Sequence, residues 1–182
     1  MNVFEILDHE HQLIAPAIKA AQSCAQRLGQ PGAVAESAGQ ELIGFCDKFI
    51  SQCHQVKEFN LFIRLLQKGR SYVIAPIASL HAEHSRLAQM TESLDAAWRE
   101  VLTGQTGASE RVAGYLTDYA ALMEAHILKE ERFYRVTESI LGSADQMALK
   151  ATFDKLDQET LGADGHAHYC QWAYQMAGAP AA

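Results

Sequence analysis

Apolar residues recur at steps of three and four along four long stretches of the chain, the period of a helix with one buried face. The first stripe runs Phe4, Leu7, His11, Ile14, Ile18, Ala21 and Ala25, with Asn2 placed to cap it. Pro16 predicts a bend near its middle, and the Gly29-Gln30-Pro31-Gly32 cluster predicts its end. A second helix is expected from about Val34 to Lys68. Its stripe carries Leu42, Phe45, Phe49, Ile50, His54, Glu58, Leu61, Phe62 and Leu65, and Gly69 follows where a terminating glycine belongs. The third starts near Ser71, with Pro76 in its opening turns, and carries Val73, Ile77, Leu80, His84, Leu87, Leu94 and Trp98 around a polar Thr91. The fourth, from about Ser109 to Leu141, carries Val112, Tyr115, Tyr119, Leu122, His126, Glu130 and Phe133.

No segment alternates with a period of two. Ser143-Ala144-Asp145-Gln146 has the form of a capping box opening a fifth helix, and Gly162-Ala163-Asp164-Gly165 interrupts it before a short segment with His166, His168 and Trp172. The tail Gly178-Ala179-Pro180-Ala181-Ala182 is expected to be loose. The fold predicted is all-α: an up-down-up-down four-helix bundle with one or two extra C-terminal helices. It forms one domain over residues 1–182, with the bundle core at about 2–141 and the extension at about 143–178.

The chemistry lies where polar residues interrupt the stripes. His54-Gln55-Val56-Lys57-Glu58 and His126-Ile127-Leu128-Lys129-Glu130 both spell H-x-x-K-E, and on a helix such a His and Glu share one face. Each is preceded by a Glu-His pair, Glu10-His11 and Glu83-His84, with the histidines 43 and 42 residues upstream. His9 lies about 200° around the helix from His11 and cannot also face inward. Four histidines and two glutamates converging inside a bundle would hold two metal ions. Imidazole and carboxylate suit iron, manganese, zinc or copper. With Glu58 and Glu130 bridging, each ion receives two nitrogens and two oxygens, and a position stays open for a small ligand. The bland alternative is a buried polar network, but burying two glutamates without a cation is expensive. Lys57 and Lys129 are expected in solvent, Tyr115 and Tyr119 in the core although within reach of the site, and His166 and His168 in surface or packing roles. The four cysteines read as core fillers, with Cys53, beside His54, as a candidate redox thiol.

A net charge of −7 argues against nucleic-acid or anionic-membrane partners. The chain lacks a signal-like opening and a membrane-spanning apolar run, and its thiols lack metal-type spacing, so a cytoplasmic location is expected.

The residues Glu10-His11-x-x-Ile14, His54-x-x-Lys57-Glu58-x-x-Leu61-Phe62, Glu83-His84-Ser85-Arg86-Leu87 and His126-Ile127-x-Lys129-Glu130-Glu131 resemble the hemerythrin-like, or HHE cation-binding, domain family over about residues 4 to 141. The resemblance implies two iron ions, oxo- or hydroxo-bridged, in a four-helix bundle, with other divalent metals admissible. Its ligands would be His11, His54, Glu58, His84, His126 and Glu130. Oxygen carriers of the family have a fifth histidine a turn from the third-helix ligand. Here His81 stands three residues before His84, a candidate fifth ligand. The chain is therefore read as similar to the bacterial branch. Three functions follow: binding or sensing of dioxygen, nitric oxide or hydrogen peroxide, with storage or detoxification; an enzyme decomposing peroxide or nitric oxide; or iron handling, whose relatives would be expected to carry a cysteine-rich N-terminal segment. Binding with modest redox turnover is preferred, and any signalling requires a protein partner.

Overall fold

The structure, a computed structural model, describes residues 1–28 and 36–176. The expected break at Gly29–Gly32, the helix start near Val34 and the tail from Gly178 fall outside the described residues. Within them every regular element is helical. Helix α1 spans Val3–Arg27 and begins on a full capping box: the Asn2 side chain accepts from the N–H groups of Phe4 and Glu5, and Glu5 accepts from the Asn2 N–H. It runs through Pro16 without interruption. The second stripe divides into α2, Glu36–Gly44, a π-helical run Phe45–His54, and α3, Gln55–Gln67. Helix α4 covers Ile74–Leu102 and opens on a single 3-10 turn, Ser71–Val73, which puts Pro76 in its first turn. Helix α5 covers Ala108–Thr137.

The C-terminal part forms α6, Ser143–Thr160, and α7, Gly165–Met176. The start of α6 sits one residue earlier than the S-x-x-Q pattern predicts. Gly142 is the cap, and its N–H donates to Asp145 at 3.1 Å. Gln146 is thereby free to accept from the Val3 N–H at 3.0 Å, tying α6 to the start of α1. No helix among the described residues is long and apolar enough to cross a membrane.

Two apolar clusters fill the interior. One gathers Leu13 to Cys24 of α1, Phe45 to Ile50 of the π run, Leu87 to Trp98 of α4 and Val112 to Ile127 of α5, closed by Trp172 of α7. The other gathers Val3 to Leu7, Leu61 to Leu65, Val73 to Leu80, and Phe133 and Tyr134, closed by Leu149 and Phe153 of α6. Between them, at one level on all four long rods, lie His11, His54, Glu58, His84, His126 and Glu130, all buried. The polar interruptions of the four stripes thus meet in a single layer.

Candidate metal centre

The six side chains form two four-residue groups, His11, His54, Glu58, Glu130 and His84, His126, Glu58, Glu130, that share both glutamates. Nε2 of His11 lies 3.6 Å from Glu58 and 3.3 Å from Glu130, and Nε2 of His54 lies 3.4 Å from Glu58. Nε2 of His84 lies 3.2 Å from Glu58 and 3.1 Å from Glu130, and Nε2 of His126 lies 3.1 Å from Glu130. Donor atoms bound at about 2.1 Å to a common ion stand roughly 3.0–3.4 Å apart. The observed spacings therefore suit a cation between them. So does the approach of His84 Nε2 to His126 Nε2 at 2.9 Å, which points two nitrogens at one place.

The unsatisfied atoms give the same answer. Both ring nitrogens of His11, one oxygen of Glu58 and one of Glu130 are buried with no hydrogen-bond partner. Such groups are costly unless something charged completes them. Burial pushes the His11 and His84 rings toward neutrality, but Glu130 and Glu58 outweigh it and raise both to about 10. Burial and the adjacent Glu130 push the Glu58 carboxyl up, while His54, His11 and His84 hold it down at about 2. The cluster demands positive charge, from protons or from metal.

Behind this layer stands a second set of residues that neither stripe nor motif assigned. Glu10 accepts from Nδ1 of His54 at 2.8 Å, and Glu83 accepts from Nδ1 of His126 at 2.9 Å. A proton held at Nδ1 leaves each Nε2 lone pair for the interior. The Glu of each Glu-His dipeptide thus orients the histidine of the next long rod. Glu10 also pairs with Lys57, and Glu83 with Lys129.

Several expectations change. Lys57 is fully buried rather than solvated, because Asp157 of α6 joins Glu10 in pairing it, at 2.6 Å. Lys129 is half-exposed, as expected. His166 is half-buried, with Nε2 3.7 Å from Glu10. His168 is exposed. His81 is exposed against the Phe59 ring and belongs to neither group. Tyr119 lies in the first apolar cluster and Tyr115 packs against it. The tyrosine at the site is Tyr134, whose hydroxyl donates to Glu58 and whose ring stacks 5.9 Å from that of His11. It stands one turn beyond Glu130, a spacing that could have flagged it. The Cys53 thiol donates to Asp157 at 3.1 Å, and burial pushes its pKa up, which disfavours the reactive thiolate. A cleft between α1 and α5, lined by His11 and Tyr134 and rimmed by Asp8, Gln12, Glu131 and Arg135, reaches the layer from outside.

The family model for the hemerythrin HHE cation binding domain matches residues 2–135. No curated protein and no solved structure matches the chain significantly.

Proposed function

Because the chain belongs to the hemerythrin HHE cation-binding domain family, we propose that it holds two iron ions between its four long rods and uses them to bind dioxygen, nitric oxide or hydrogen peroxide. The residues that would hold them are His11, His54, Glu58, His84, His126 and Glu130, with both glutamates common to the two groups, and His81 is left out. We take the rods to run up, down, up, down within one domain, and the chain to be similar to the bacterial branch of the family. The observation that carries the reading is the sharing of Glu58 and Glu130 by both four-residue groups. A single-metal site has no use for two such groups.

Bound there, iron would supply redox chemistry suited to small oxygen- and nitrogen-containing ligands. The chain's own residues do the rest. Glu10 and Glu83 hold the His54 and His126 rings in the orientation that frees Nε2. The apolar clusters flank the layer on either side and surround it with a low-dielectric interior. The Tyr134 hydroxyl holds its proton against the Glu58 carboxylate oxygen that accepts from it, beside the cleft through which a small ligand enters.

The test is anaerobic loading with ferrous ion, followed by a metal count and visible spectra with nitric oxide, dioxygen and peroxide. Two irons per chain and a ligand-dependent spectrum are expected. Fewer than two irons would overturn the dinuclear reading.

A further inference from the structure

The centre is built from two copies of one unit, so each copy is a control for the other. In both, a glutamate preceding a ligand histidine accepts from Nδ1 of the histidine on the next rod and pairs with a lysine three residues beyond it. There the likeness ends. Behind His126, Lys129 is 44% exposed and Glu83 20% exposed, and the other neighbour of Lys129 is the Ser79 hydroxyl at 3.5 Å. Behind His54, Lys57 is 0% exposed, and α6 brings Asp157 to 2.6 Å from its Nζ. From α7, His166 approaches Glu10 at 3.7 Å, and its ring Nδ1 lies 3.4 Å from the Cys170 sulfur. Asp157 and His166 both lie beyond residues 2–135, in the C-terminal helices. Among the described residues, these helices place no carboxylate beside Lys129.

An exposed ion pair is screened and weak, whereas a buried one is held by a low-dielectric surround and breaks only at high cost. For a histidine to leave its metal, its ring must turn, and that requires releasing the glutamate at Nδ1. On the His126 side the glutamate and lysine face water, which can replace either partner. On the His54 side the Glu10–Lys57 pair itself is shut away from solvent, and only Asp157, which anchors the lysine from behind, is 28% exposed. We infer that α6 and α7 make the two metal positions unequal: the ion between His11 and His54 is retained, the ion between His84 and His126 exchanges first, and Asp157 is the positioning residue that sets the difference. This rests on the two-metal reading above and adds to it an order of release.

The full chain, loaded anaerobically with ferrous ion and its iron counted, is mixed with excess of a colorimetric ferrous chelator. Wild type is expected to release iron in two phases of about one ion each, separated by tenfold or more, the scale on which such outer partners act. Asp157→Asn should accelerate the slow phase and leave the fast one unchanged, and Asp157→Glu should restore the slow phase in part. His166→Gln, at a half-buried position, gives the same readout if Asp157→Asn does not fold, again on the slow phase alone. Glu83→Gln should accelerate only the fast phase. A single release phase in wild type, or a change in the fast phase with Asp157→Asn or His166→Gln, would overturn the inference while two irons still bind. Loading that never reaches two irons would instead remove the reading on which it stands.

Discussion

Nδ1 of His126 on α5 donates to a carboxylate oxygen of Glu83 on α4 at 2.9 Å. The residue after Glu83 is His84, whose Nε2 lies 3.1 Å from Glu130. One dipeptide therefore supplies a nitrogen facing the buried layer and the acceptor that orients a second one. The Glu10-His11 dipeptide does the same for His54. Adjacent helical residues point about 100° apart, so one enters the layer while the other reaches the neighbouring rod.

Replacing that acceptor isolates its contribution. Glu83→Gln keeps the shape but removes the charge that fixes the His126 tautomer, and metal affinity is expected to fall by about 10–100-fold with the helical content unchanged. Competition with a chelator of known affinity measures it. Unchanged affinity would mean that the Glu83 contact is incidental.

Both four-residue groups depend on Glu130. Glu130→Ala should therefore cost both ions, reducing bound iron from about two per chain to near none, whereas His81→Ala should retain both. Elemental analysis distinguishes these outcomes. One tightly held ion in Glu130→Ala would show that the groups do not share that carboxylate.

The Tyr134 hydroxyl donates to Glu58 inside the second apolar cluster. Tyr134→Phe preserves the ring against Phe4, whose centroid lies 5.6 Å away, and removes only the hydroxyl. A hydrogen bond to a charged group contributes about 1.5–3 kcal/mol, so the fold should be destabilised by about that much while both ions still bind. Urea unfolding, with a metal count on the folded variant, reads this directly.

Metal removal should be visible as lost stability. With free metal at about 100 times its dissociation constant, binding adds about 2.7 kcal/mol. For a chain of this size that corresponds to a fall in Tm of about 5–10 °C on chelation. Identical melting curves with and without metal would be incompatible with a buried site that needs a cation.

Far from the centre, Gly39 of α2 lies against the indole of Trp98, and a Cβ there would fall inside the Trp98 ring's van der Waals envelope. Gly39→Ala is expected to destabilise the fold by about 1–3 kcal/mol through overpacking, measured by urea unfolding, with iron content unaffected.

Helical periodicity made the rods and the six layer residues legible, because each of the six stands on an apolar stripe. Tyr134 escaped that reading for a packing reason. Helix α5 packs against both α1 and α4, so its buried arc is wide. Leu116, Met123, Ile127 and Tyr134 are buried on it, while Tyr115 and Leu122 are only partly so. Lys57 escaped because its burial depends on Asp157, a partner from a distant helix that no local pattern ties to it. The π-helical run escaped because Phe45, Phe49, Ile50 and His54 are spaced by four, one and four, which an α-helix also accommodates.

That run ends on His54, and its other end packs on α7: Phe45 lies 4.9 Å from Trp172 and 5.7 Å from Tyr169, ring centre to ring centre. Rewinding any of its turns as α, at about 100° per residue, would swing His54 off its seam relative to the two phenylalanines. Both ends are cut on one screw thread, so α7 can keep its aromatic seat and the layer its histidine only while the pitch between them is kept.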